Sequence, residues 1–300
     1  MLFWRKRVLL AILEKAPGRK ASRIQLVKWL FLLKEEEKID RVGNFYDFLP
    51  YKYGPFSFLL YNEISELERS GLLESSGSYF NLAKRDTQNI TANLSDNTKV
   101  SIQRIMNNYS SWTQGRVLKY IYEKYPWYAS RSNLREYKSN FLLCAKPSSL
   151  YTLGYEGLSI DAFLALIMKT GIQNVIDVRN NSISRKYGFS KSTLQKKCRD
   201  VDLNYCGLPE LGIPSEIRRQ FHDKKTLWNI FTHDIIAKAP DVISLVAGLC
   251  RKQTSVLICF EKNPYDCHRH ILAKEISKIC RLPVVHYNFE ERKWGKELKY

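Results

Sequence analysis

A chain of 300 residues with 44% hydrophobic and 26% charged content has enough apolar material for more than one packed core, which excludes a wholly disordered protein. Its formal charge of +18, densest over residues 101–150, concentrates polyanions and makes their binding salt-dependent, so DNA or RNA is the first partner expected. The plain alternative is a basic soluble protein with no such partner. Seven cysteines, an odd number with no CxxC pair, speak against a secreted disulfide framework and for a reducing compartment.

The opening MLFWRKRVLLAILEKAPGRK has an apolar run too short and too broken by charge to span a membrane, and no small-residue cleavage site follows. A cytoplasmic protein with no membrane partner is expected. From VLLAILEK to LFLLKEEE, apolar residues recur at three- and four-residue spacing on both sides of Pro17-Gly18, predicting a helix, a turn and a second helix. Ser57 can then cap a helix that Gly71 ends, and SYFNLA reads as a returning strand. Helices followed by a small β-wing predict a winged-helix-like, mostly helical domain over residues 1–85.

The stretch YKYGPFSFLLYNEISELERSGLL resembles the YxxGP…LY…L…GLI segment of Panacea-type antitoxin domains, which are helical and occur beside toxins or phage-associated genes. That resemblance implies an interaction or regulatory domain, with a protein partner and no catalytic residues to carry over.

Residues 86–147 come next. DTQNITANLSDNTKV is polar and reads as a linker. Helical periodicity then returns, with Arg104, Arg116, Lys119, Lys124 and Arg131 interleaved with Tyr109, Trp112, Tyr120, Tyr122, Tyr125, Trp127 and Tyr128. Basic residues hold phosphates and aromatic faces stack on unpaired bases, so Arg104, Trp112, Arg116, Lys119 and Lys124 are candidate nucleic-acid contacts. Core and interdomain packing is the competing reading.

From residue 148 to the end the pattern changes. SLYTLGY, NVIDVR, LNYCGL, SVLICF and PVVHYNF are short apolar runs separated by helical stretches, including a long block from Pro214 to Arg251. That alternation predicts a compact three-layer α/β domain with a mainly parallel sheet covered by helices.

In such a sheet, ligands bind beyond the carboxyl ends of the strands. Gly154-Tyr155-Glu156-Gly157 follows the first strand, Asp177-Val178-Arg179 ends the second, Pro209-Glu210-Leu211-Gly212 follows the third, and Cys259 ends the fourth with Glu261 beyond. Tyr155, Glu156, Asp177 and Glu261 are therefore the candidate catalytic residues. Asp177 follows apolar residues and needs a partner if buried, so a structural Asp177–Arg179 tie stands beside the catalytic reading. The loop NNSISRKYGFSKSTL adds Ser184, Arg185, Lys186, Tyr187 and Lys191, and its basic, hydroxyl-rich character suits phosphate.

In CFEKNPYDCHRH, Asp266 reads as an N-cap, with Cys267, His268 and Arg269 in the first helical turn. Such a start binds anions, so Arg179, Arg185, His268 and Arg269 are the candidate phosphate ligands, and the same field would activate Cys267. A zinc site would draw on Cys259, Cys267, His268 and His270. Adjacent Cys and His are expected to point in different directions, so no metal ligands are assigned. Cys259 and Cys267 are thiol candidates, since DVR and a strand ending in Cys before a helix are similar to rhodanese sulfurtransferases. The glycine-containing cradle those enzymes place around their persulfide is missing here. Both cysteines also fit as small buried hydrophobes.

TLGYEG, VIDVR, SRKYGFSK, LNYCGLPELG and CFEKNPYDCHRHILA, in that order and spacing, resemble the DUF488 family across nearly all of 148–300. Ile213 departs from it, standing where many members have a second glycine. The resemblance implies the fold and the clustering of these motifs, and no reaction.

The expected function is an enzyme acting on nucleic acid or a nucleotide, cutting or modifying at a base or glycosidic bond, recruited through the basic N-terminal half. Glu156 or Asp177 would act as base or stabilise an oxocarbenium charge, and Tyr155 would orient the sugar. A divalent cation at Glu156, Asp177 and Glu261 is the phosphodiester-cleaving variant. The alternative is a non-enzymatic nucleic-acid-binding regulator or antitoxin-like protein whose α/β domain senses an anionic ligand.

Overall fold

The computed structural model describes residues 2–83, 91–134, 149–221 and 223–287. The chain divides into two compact units, Met1–Phe141 and Leu142–Tyr300.

In the first unit, helix α1 spans Trp4–Lys15 and buries its residues 8–13 completely or nearly so. Helix α2, Arg23–Glu35, begins at a reciprocal capping box. The Ser22 side chain accepts from the Gln25 backbone N–H, and the Gln25 side chain accepts from that of Ser22. Between the two helices lies a strand the periodicity does not reveal, β1 (Lys20–Ser22). Three residues are too few to show a period of two.

A small hairpin follows, β2 (Leu49–Tyr51) with β3 (Gly54–Phe56), then α3 (Phe58–Arg69), capped by Ser57 as its sequence predicts. Gly71 takes a left-handed conformation and ends that helix. Strands β4 (Leu73–Ser76) and β5 (Tyr79–Leu82) complete a three-stranded antiparallel sheet in the order β1-β5-β4.

Helices α4 (Asp96–Tyr109) and α5 (Gln114–Lys124) belong to this unit. Their Ile102, Ile105, Met106, Val117 and Ile121 join the core built by α1 and α2. Of the expected linker, residues 86–90 lie outside the described residues, while Asp96–Val100 is already helical because Ser95 caps α4.

The second unit is α/β. Its strands are β6 (Leu150–Gly154), β7 (Asn174–Asp177), β8 (Asn204–Gly207), β9 (Ser255–Cys259) and β10 (Val284–Tyr287). All pair in parallel, in the order β10-β6-β9-β7-β8. The helices are α6 (Ile160–Lys169), α7 (Lys191–Asp200), α8 (Ser215–Gln220), α9 (Lys224–Ile230), α10 (Pro240–Lys252) and α11 (Arg269–Cys280).

Right-handed crossovers dictate the layers. The connections through α6 and α7 step across the sheet one way, while those through α10 and α11 step back the other way. The two pairs of helices therefore cover opposite faces. Leu150, Ile176, Leu257 and Cys259 form one core with Ile243, Val246, Leu272 and Ile276 of α10 and α11. Ile213 is buried in that same core, so the residue that departs from the family pattern is spent on packing.

Strand β9 lies between β6 and β7, and the helix that follows β9 runs over the face opposite to those following its neighbours. The carboxyl end of β9 is thus the topological switch point of a doubly wound sheet, where a crevice opens for ligands.

Candidate functional site at the carboxyl edge of the sheet

Two side-chain clusters flank that switch point. The first centres on Asp177, fully buried at the end of β7. One carboxylate oxygen accepts from the Arg179 backbone N–H at 3.1 Å and from its Nε at 2.8 Å. The other accepts from Arg179 Nη2 at 2.5 Å, Tyr205 Oη at 2.7 Å and Ser182 Oγ at 3.1 Å. Arg179 Nη1 donates in turn to Tyr155 Oη at 2.8 Å, and the Tyr155 ring stacks on Phe189 at 4.1 Å.

This is a closed network. Five donors saturate Asp177, so the carboxylate has no free lone pair with which to take a substrate proton, and it cannot join Glu156 and Glu261 around a divalent ion. Burial disfavours the Tyr205 phenolate, and the charge of Asp177 and its hydrogen bond disfavour it further, so that phenol stays protonated and keeps donating. Arg179, 6% exposed, is held as the partner of Asp177 rather than presented to a phosphate.

The second cluster lies at the end of β9 and the start of α11. The chain is extended at Cys267 and helical at His268. That change of direction lets neighbouring side chains converge, contrary to the divergence expected of them. Cys267 Sγ lies 3.8 Å from His268 Nδ1, and the Cys259 thiol lies 3.3 Å from Glu261 Oε2. His268 Nε2 donates to the Val178 carbonyl at 3.0 Å, which fixes the ring and turns Nδ1 toward the sulfurs. Arg218 reaches both Glu261 Oε1 at 3.2 Å and His268 Nδ1 at 3.3 Å.

The titrations in this cluster diverge. A hydrogen bond donated to Cys267 and then burial push the Cys259 thiol well above its ordinary range. Burial opposes ionisation of Cys267, yet Cys259, His268 and Arg269 outweigh it and hold that thiol well below. Burial, and then the nearby Cys267, raise Glu261.

Arg269 has a different task from the one its position in the sequence suggests. It is fully buried, and its guanidinium donates to the carbonyls of Glu261 at 2.5 Å and Lys262 at 3.0 Å. Two of the donors expected to hold phosphate are thus spent on fixing the loop after β9. The loop also comes against β6: a Cβ on Gly154 would stand 1.8 Å from the Glu261 carbonyl oxygen, so only glycine fits there.

The helix begins at Arg269 with His268 at the N-cap position, two residues later than expected. Asp266 instead closes a 3-10 turn, Pro264–Asp266, capped by Asn263, and pairs with Lys224. The amides of Ile271 and Leu272 at the helix start both donate to the His268 carbonyl.

Around the mouth of the crevice, Glu156 is exposed and accepts from the Lys262 backbone N–H at 2.9 Å. Lys186 Nζ donates to the Tyr155 carbonyl at 3.2 Å, with its pKa lowered by burial against the pull of Glu156. Arg185 is exposed. Tyr155, Glu156, Glu261, Cys259 and Cys267 are therefore brought to one edge, as the strand ends predict. The candidates of the other unit are partly absorbed by packing. Arg104 pairs with Glu37, Lys119 with Glu123 and Lys124 with Glu36, while Arg116 lies 4.1 Å over the ring of Trp112.

Arg218, Ser182 and Tyr205 are the participants that sequence reasoning did not assign to the site. Tyr205 and Ser182 lie in stretches already flagged, LNYCGL and NNSIS, but nothing local indicates that they meet Asp177.

A doubly wound α/β unit with polar groups gathered at its switch point is the class of protein defined here. A family model described as "Domain of unknown function DUF488" matches residues 159–276, from the N-cap of α6 into α11. The second unit therefore carries the DUF488 resemblance, and the match includes Asp177, Arg179, Cys259, Glu261, Cys267 and His268. No curated protein and no solved structure matches the chain. Among the described residues, no helix is long and apolar enough to cross a membrane.

Proposed function

We propose that this chain is an enzyme that processes nucleic acid or nucleotides in the crevice at the end of β9, with DNA or RNA drawn in by its positive charge. The observation that carries the reading is Glu261. Its carboxylate touches the Cys259 thiol and Arg218 at the topological switch point, and its side chain is 23% exposed, so it is both perturbed and reachable. Glu156 and Lys186 stand at the same mouth, and Arg218 and Arg185 supply cations for a phosphate.

In this reading the reaction falls at a base or its glycosidic bond. Glu261 is the acid or base, and Asp177 is a positioning residue that holds Arg179 and, through it, Tyr155. Nucleic-acid masses measured before and after incubation with the wild-type chain and Glu261→Gln test it. A product that the variant fails to make supports it, and binding without covalent change on every substrate removes it.

A second reading concerns the first unit. We infer that it is of winged-helix type, supported by its order of helix, strand, helix, small hairpin, helix and closing hairpin, with the first strand pairing to the last. The helix in the position that usually reads DNA, α3, carries Glu63, Glu66 and Glu68. Arg5 and Tyr46 hold Glu63, Lys6 holds Glu66, and Ser75 donates to Glu68. With its glutamates held in this way and Arg69 its one basic residue, α3 offers little to a phosphate, which favours a protein partner for this unit, in keeping with an antitoxin-like regulatory role. Isothermal titration of residues 1–134 against duplex DNA tests it, and micromolar binding at physiological salt would refute it.

A further inference from the structure

We propose that Cys259, Cys267 and His268 bind a zinc ion through three protein ligands, leaving a fourth position beside Glu261. The proposal does not depend on the nucleic-acid reading, and either can fail without the other.

Cys259 Sγ, Cys267 Sγ and a ring nitrogen of His268 all lie within 4.8 Å of one another. Tetrahedral zinc with its usual bond lengths spaces two sulfurs by about 3.8 Å and a sulfur and a nitrogen by about 3.6 Å. The 3.8 Å between Cys267 Sγ and His268 Nδ1 is already within a few tenths of that spacing. All three side chains are buried, at 2%, 1% and 0% exposure.

The surroundings are those of a metal site. A ligating imidazole needs its other nitrogen to donate to a fixed acceptor, and His268 Nε2 does so to the Val178 carbonyl. The loop joining the two cysteines is held in place by Arg269 on the carbonyls of Glu261 and Lys262, and by the absence of a side chain at Gly154. The ligands are therefore preorganised rather than gathered by the ion.

Charge closes as well. Each thiol gives its proton to solvent on binding. Two thiolates, a neutral imidazole and a divalent ion sum to zero, and Glu261 is offset by Arg218, which must leave Nδ1 but can keep its contact with Glu261. Thiolate and imidazole donors suit zinc over magnesium or calcium. Two cysteines and one histidine form a three-ligand set of the open, catalytic kind. A carboxylate at the fourth position is what an activated water needs as proton acceptor.

The test uses the full chain, untagged, purified with reductant and without chelator. Metal analysis should find about one zinc per chain, falling roughly tenfold or more in Cys259→Ser and Cys267→Ser. To remain informative if those variants fold poorly, the wild-type protein is stripped, its thiols are counted as reduced, and cobalt(II) is added. Intense thiolate-to-cobalt absorption with visible tetrahedral bands is expected, and His268→Gln should shift or abolish those bands. Folded, reduced wild-type protein that takes up neither zinc nor cobalt overturns the proposal. So does a zinc content unchanged in both cysteine variants, or a Cys259–Cys267 disulfide whose reduction restores no uptake.

Discussion

Replacing Asp177 with asparagine separates the two roles open to this residue. The structure gives it five donors, two of them from the buried guanidinium of Arg179 and one from that residue's backbone. Asparagine keeps one acceptor oxygen and carries no charge, and Arg179, which can only donate, is left as an uncompensated buried charge. Breaking a buried pair in this way costs about 3–5 kcal/mol. For a unit of this size that is a fall in melting temperature of about 6–20 °C, at about 2–4 °C per kcal/mol. Scanning calorimetry of the full chain can resolve the transition of the second unit. Glu156→Gln is the control, because that carboxylate is exposed and an amide oxygen can still accept from the Lys262 N–H. An Asp177→Asn shift smaller than about 2 °C would mean that the carboxylate is not structurally committed, and would return it to the list of catalytic bases.

Other outcomes follow from the same geometry. Among the described residues, buried Lys28 has only the Pro55 carbonyl as partner, and burial lowers its pKa to about 7. Between pH 7 and 10 the unfolded chain therefore binds the extra proton, so this lysine makes the first unit more stable as pH rises, by about 1.4 kcal/mol per pH unit. Lys28→Met should remove that slope in urea titrations at pH 7 and 9, and an unchanged slope contradicts the burial argument. Gly154→Ala forces a methyl into the Glu261 carbonyl and should lower the calorimetric transition of the second unit by more than Gly115→Ala lowers that of the first, since nothing lies within 4 Å of a Cβ there. Ser22→Ala breaks a capping box and should cost about 1 kcal/mol in the first unit by denaturant titration. Nucleic-acid affinity should fall steeply with salt, and Arg185→Ala should lower the log–log slope by about one in fluorescence anisotropy if that exposed cation contacts a phosphate.

Much of the second unit is legible in its sequence because its inner strands β6, β7 and β9 are short, mostly apolar runs buried along their whole length, as a sheet covered on both faces demands. The order β10-β6-β9-β7-β8 is not legible, since periodicity says nothing about neighbours. The switch point therefore emerges only with the structure. In the first unit β1 is hidden by its length, and β2 and β3 by Pro50 and Pro55, residues that sequence logic places outside strands.

The site divides along the same line. That Tyr155, Glu156, Cys259 and Glu261 share one edge is legible, because parallel strands deliver their carboxyl ends together. The tie of Asp177 to Arg179 is legible, while its hydroxyl partners and the partners of Arg269 are not, since a charged residue looks available in a sequence until its partners are known. Those partners are a distant hydroxyl in one case and backbone carbonyls in the other. The convergence of Cys267 with His268 was missed because it depends on a backbone change between two adjacent residues. No residue pattern encodes such a change.

The central claim is that the edge at β9 performs chemistry on nucleic acid or nucleotides. The most direct measurement is mass spectrometry of defined single- and double-stranded DNA, RNA and free nucleotides after incubation with the full chain. Reactions should be run with and without added zinc, and against Glu261→Gln. The account predicts a released base or a changed mass in one substrate class, lost in the variant. Unchanged masses in every class, from folded protein that still binds the polyanion, would contradict it.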